Sequence, residues 1–187
     1  MLAAVGGPNS LKAVRAAVDS SNADARSAAI RALGNWRTPD AAPDLLALAQ
    51  KTSAPAERTI FLRGYLNLAA RGDMTVEQRL DMCRQAAGLL QRADEKRLLL
   101  GTLSNIDSAD AMNMILPYLE DTSTRQEAGM AAVTLAERLL RGRGPSKYAA
   151  QLIAPLEKLT QATTNEEIAK RAKTLLKQAQ TKSGTNQ

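Results

Sequence analysis

The sequence predicts an all-α chain of about five helix pairs, and three observations carry that reading. Nearly every window repeats its apolar residues with helical period in a background of Ala, Leu, Arg, Gln and Glu. β-branched alternation over four or more residues is absent. Proline and capping residues punctuate the chain at intervals that leave about ten helices, 9–19, 23–36, 39–50, 55–71, 75–91, 94–105, 109–119, 124–140, 146–161 and 165–180.

The start signals are local and physical. Asn22 stands before the second helix as a cap, and Thr38-Pro39, Pro55 and Pro145 place proline where a first helical residue needs no N–H. Thr75 with Gln78, Ser123 with Gln126 and Thr164 with Glu167 have the spacing of a capping box, in which side chain and backbone satisfy each other's free N–H groups.

The second helices of the pairs begin near residues 23, 55, 94, 124 and 165, a loose period of about 30 to 41 residues. In the first helices, Pro43, Pro117 and Pro155 recur in apolar settings at about two units and then one unit of roughly 37 residues. A proline inside a helix removes a hydrogen bond and bends the axis, so this recurrence predicts a shared bend.

The run Asp24-Ala25-Arg26-Ser27-Ala28-Ala29-Ile30-Arg31-Ala32-Leu33-Gly34, followed by Thr38-Pro39-Asp40-Ala41-Ala42-Pro43-Asp44-Leu45-Leu46, resembles the HEAT-like helical repeats, including those of phycobilisome-lyase proteins. Residues 22–50 match well and the later units match in pattern; the Trp/Leu/Gly/Tyr pattern of tetratricopeptide repeats is not evident. The resemblance implies a right-handed α-solenoid of antiparallel pairs, with the second helices lining a concave surface. Each pair has too little core to stand alone and buries its apolar face on its neighbours. Ala28, Ala29, Ala32, Ala128, Gly129, Ala131 and Ala132 are small enough for close helix approach.

Composition narrows the chemistry. The chain has 187 residues, 44% hydrophobic and 24% charged, which is the range of globular domains. With Cys83 as its one cysteine and no histidine, it lacks the usual ligands of a zinc site, the Cys/His and Ser/His catalytic arrangements and a disulfide within the chain. No catalytic residue, metal or cofactor is expected. The net charge of +6 comes from 25 basic and 19 acidic residues, a mixed surface that permits a polyanionic partner without requiring one. No run of 18 apolar residues and no signal peptide is visible, so the default expectation is a cytoplasmic chain without membrane contact. Residues 1–187 are expected to form one repeat domain, with 1–8 and 181–187 as linker or tail resembling cut ends of a longer protein.

Arg26 and Arg58 occupy matching early positions in two second helices, and Lys96 or Arg97 and Arg125 follow in the next two. A cationic ladder is one reading. The resemblance supplies the other: an arginine here ties adjacent repeats by bonding an acid or carbonyl, with Asp24 and Asp40 expected near Arg26. The guanidinium fork suits that role. Arg138, Arg141, Arg143 and Lys147 form a candidate anion-binding segment, although cations and glycines also suit a helix end. Gly142-Arg143-Gly144 lacks the spacing and preceding strand of a phosphate loop. Lys170, Arg171, Lys173, Lys177 and Lys182, after Glu166 and Glu167, follow the order a helix dipole favours and suit a polar capping face. Trp36 is expected in the core on a stripe with Ala29 and Leu33, with Phe61 and Tyr65 read the same way. Cys83 is expected as a small buried hydrophobe.

Together these features predict a non-catalytic scaffold that binds another protein, or another domain of its parent chain, through a concave surface. The exposed positions Arg26, Ser27, Arg31, Arg58, Arg63, Asn67 and Arg97 are its candidate contacts. The alternative is nucleic-acid binding, including a relative of the HEAT-like alkylpurine DNA glycosylases. That family's acid and aromatic constellation has no match here, and the sparse aromatics give few stacking platforms.

Overall fold

A computed structural model describes residues 8–141 and 146–184. Its helices are α1 (Pro8–Val18), α2 (Ala23–Gly34), α3 (Ala42–Lys51), α4 (Pro55–Ala70), α5 (Val76–Ala87), α6 (Ala93–Leu103), α7 (Ala109–Ile115), α8 (Arg125–Leu139), α9 (Ala149–Ala162) and α10 (Glu166–Gly184). Short 3-10 turns precede α3 at Pro39–Ala41 and follow α7 at Leu116–Leu119. No strand occurs among the described residues, and the fold is all-α.

Packing divides the chain into two compact units, one ending at Glu95 and one starting at Lys96, a boundary inside α6. In the first unit α1 packs on α2, α3 on α4, α2 on α4, and α4 on α5. Leu33, Trp36, Leu45, Phe61, Leu62, Leu66 and Leu80 fill its core. In the second unit α9 packs on α10, α7 on α8, α8 on α10, and α9 on α7. Its core holds Leu103, Ile106, Met112, Leu135, Leu152, Leu156 and Ile168. Each such side chain contributes about 1.5–3 kcal/mol by leaving water. Second helix therefore stacks on second helix within each unit.

The caps explain the helix starts, with two corrections. Asn22 Oδ1 accepts the N–H groups of Asp24 and Ala25, and Thr75 with Gln78 forms the full capping box. At α8 the cap position falls on Thr124, and the Ser123 carbonyl instead accepts from Arg97. At α10 the cap is Asn165, whose Oδ1 accepts from Ile168 N. Pro55 opens α4 as expected, while Pro145 lies outside the described residues. Glu95 is buried in the first turn of α6, where its Oε2 accepts the N–H groups of Gln91 and Arg92.

The shared bend does not hold. Pro43 sits in the first turn of α3, Pro117 in the 3-10 turn after α7, and only Pro155 inside a helix. The carbonyl Pro155 leaves free belongs to Gln151, an exposed residue that water can satisfy. Ala28 is exposed and mediates no helix approach, whereas Ala29, Ala128, Gly129, Ala131 and Ala132 are buried. Residues 181–184, expected in a tail, continue α10, with the Lys182 side chain buried.

Trp36, Phe61, Tyr65 and Cys83 are buried as expected. Trp36 Nε1 donates to Thr38 Oγ1 at 2.8 Å and to Asp40 Oδ1 at 3.1 Å, so Asp40 serves the indole rather than Arg26. Burial pushes the Cys83 thiol up to about 12, which keeps it protonated and unreactive at neutral pH. A thiol reagent such as Ellman's should leave the native protein unlabelled at pH 7.5 and label it promptly in urea. Fast labelling of the folded chain would contradict that burial.

Candidate protein-interaction surface

The arginines at the starts of the second helices are engaged within each unit. Arg26 Nη2 on α2 donates to Glu57 Oε1 at 2.8 Å and Oε2 at 3.0 Å on α4, and Thr52 Oγ1 supports Glu57 Oε2 at 3.0 Å. The acid is thus Glu57, not Asp24 or Asp40. Arg97 on α6 repeats the arrangement, its Nε donating to Glu127 Oε1 on α8 at 2.6 Å and its Nη2 to the Ser123 carbonyl at 3.0 Å. Arg171 on α10 reaches back to Glu137 on α8 at 2.8 Å. Arg58 donates to the Leu89 carbonyl, and Arg125 Nε to the Leu119 carbonyl at 2.8 Å. These pairs are half exposed, so each is worth at most about 1 kcal/mol; they set the alignment of helices more than their stability.

The remaining candidates divide by partner. Ser27 accepts from Arg31 Nη1 at 2.6 Å, and the side chains of Arg63 and Asn67 are exposed on α4 with no hydrogen bond or ion pair among the described residues. Arg138 turns inward to Asp107 and Asn105, each at 2.9 Å, and so links α8 to the end of α6 and the loop after it. Lys147 stands over the Tyr148 ring at 4.8 Å, and Arg141 is exposed. Arg143 lies outside the described residues.

Beside two of these ties the second helices leave open grooves. Between α2 and α4 a groove of about 240 Å³ is lined by Ile30, Arg31 and Ile60 beside the Arg26–Glu57 pair. Between α6 and α8 a groove of about 460 Å³ is lined by Leu100, Gly101 and Met130 beside the Arg97–Glu127 pair. Ile60 follows Glu57 by the same three residues as Met130 follows Glu127, and Met130 is 41% exposed. Sequence reading missed Glu57, Glu127, Ile60 and Met130. The available signal was a glutamate near the start of the next second helix, about one repeat beyond its arginine.

Lys96 Nζ pairs with Asp121 Oδ2 at 2.6 Å, and the ammonium together with the Ser123 hydroxyl and N–H holds the Asp121 carboxyl well below the ordinary carboxylate range. The unfolded chain therefore takes up this proton at a higher pH than the folded chain. The resulting stability is full above about pH 4 and declines as pH falls toward the depressed folded value. Acid titration of urea stability should show this decline, and Asp121→Asn should flatten it. An unchanged acid slope in Asp121→Asn would contradict the pairing.

Among the described residues no group of three Cys, Asp or Glu side chains could hold a metal ion, and no helix is long and apolar enough to cross a membrane. Stacked helix pairs tied through their second helices define an α-helical repeat protein. The family model for HEAT repeats matches residues 1–63, about a third of the chain, so that span is similar to the HEAT repeats. HEAT repeats generally act as protein-interaction scaffolds and are typically non-catalytic. No curated protein matches the chain, and no solved structure matches it.

Proposed function

We propose that the chain is a non-catalytic HEAT-like scaffold, one repeat domain that docks another protein, or another domain of its parent chain, on its second-helix face. In a HEAT-like stack that face is the concave one. The observation that carries this reading is the engagement of Arg26, Arg58 and Arg97 by Glu57, the Leu89 carbonyl and Glu127. A ladder built to grip phosphates would hold its guanidiniums free. Here they align helices, and between them lie half-apolar grooves of the kind that a partner's side chains fill.

Photo-crosslinking tests the reading. A crosslinker placed at Asn67 or Gly101, on second helices, should give one defined protein adduct in the native host. The same group at Ala47 or Ala154, exposed on first helices, should give none. Adducts that arise equally from both faces, or only with nucleic acid, would contradict it.

A further inference from the structure

The α2/α4 groove combines an aliphatic floor with uncompensated positive charge. Ile30 and Ile60 form the floor, and Ala23 and Ala56 leave its rim low. The charge of Arg26 is spent on Glu57. Among the described residues Arg31 has no carboxylate partner, and its guanidinium donates to Ser27 Oγ, which holds the fork in place beside the groove. Arg63 follows Ile60 by one turn on the same exposed stripe of α4. Asp24, the acid of α2, lies about 10 Å from Arg31 along the helix axis, in the first turn where the dipole already favours it. The α6/α8 groove offers no such charge, because Arg97 is paired with Glu127. Exposed Lys170, Lys173 and Lys177 on α10 have charge, but the apolar stripe of that helix, Ile168, Ala172, Leu175 and Ala179, is buried.

We infer that the α2/α4 groove binds an acidic peptide segment with an aliphatic anchor, the anchor seated on Ile30 and Ile60 and flanking carboxylates on the Arg31 and Arg63 guanidiniums. The inference rests on the second-helix face being the interaction surface and adds the chemistry of the partner. Guanidinium forks take carboxylates in two parallel hydrogen bonds, and a segment lying along the groove meets both arginines at once.

The test is selection of a random dodecapeptide phage library on the whole chain at physiological salt, followed by affinity measurements on synthetic copies of the selected peptides. The expected pool is enriched in Asp and Glu around a Leu or Ile. Its members should bind R31E/R63E about tenfold or more weakly, and K173E/K177E, which changes net charge equally, as well as the unaltered chain. Should the double variant fail to fold, R63E alone should still weaken binding several-fold while Trp36 fluorescence reports native unfolding. A pool without acidic enrichment, or equal loss in both double variants, would overturn the inference. A second-helix crosslink with a non-acidic pool removes the acidic groove and leaves the scaffold; loss of both results removes both.

Discussion

Gly64→Ala should destabilise the first unit by about 1–3 kcal/mol, although alanine is the better helix former. A Cβ at Gly64 would meet the Gly34 carbonyl oxygen at 2.8 Å, Gly34 Cα at 3.0 Å and Leu45 Cδ2 at 3.1 Å. Two of those atoms are backbone of α2 and cannot rotate away, so α2 and α4 would have to separate. Gly101, inside α6, has nothing within 4 Å of the same position. Gly101→Ala should therefore stabilise by about 0.5–1 kcal/mol through helix propensity alone. Trp36 is the chain's one tryptophan and is buried in the first unit, so its fluorescence in urea reads the Gly64 effect directly. Far-UV circular dichroism reads Gly101→Ala. A Gly64→Ala chain as stable as the parent would mean that α2 and α4 do not touch through their backbones.

Arg79→Met should cost the same unit about 2–4 kcal/mol. Arg79 is buried on α5, with Nε donating to the Ala69 carbonyl at 2.7 Å and Nη2 to the Ala70 carbonyl at 3.2 Å. These carbonyls end α4, whose last turn has no basic residue of its own. The guanidinium therefore both satisfies helix-end acceptors and supplies the cation that the dipole favours. Methionine keeps much of the stem and removes the donors, leaving acceptors short of a partner. Lysine should recover only part of the loss, because a point charge cannot fork across two carbonyls. Unfolding of Arg79→Met within a few tenths of a kcal/mol of the parent would contradict this account. The contrast with Arg26 is one of burial: water already serves the exposed pair, whereas the Arg79 side chain and Ala69 are buried.

Local signals were legible in the sequence. Asn22, Thr75 and Pro55 fixed helix starts because a cap needs only its own neighbours. Two caps moved one residue: at α10 the Asn165 amide caps in place of Thr164, and at α8 the cap position falls on Thr124, whose hydroxyl donates to the Tyr118 carbonyl and makes no cap bond. The shared proline bend failed since sequence spacing does not say whether proline enters a first turn, as at Pro43, or an interior, as at Pro155. Long-range pairings were the hardest to read. The arginine as a tie between repeats was legible, but its acid was sought in nearby sequence, whereas Glu57 lies one repeat away on the neighbouring second helix. Gly64 was missed although a glycine deep in a helix, where it costs stability, is itself a sign that another backbone passes close by.

The central claim is that the second-helix arginines are occupied in aligning helices within each unit, which leaves the second-helix face to a protein partner. Fluorescence anisotropy of labelled duplex DNA and single-stranded RNA, titrated with the chain at about 50 and 200 mM salt, tests it most directly. The account predicts no saturable binding at either salt, because Arg26, Arg58 and Arg97 are already engaged. Tight binding at low salt that falls steeply at high salt, and is lost in R26E/R58E/R97E variants that still fold, would contradict it.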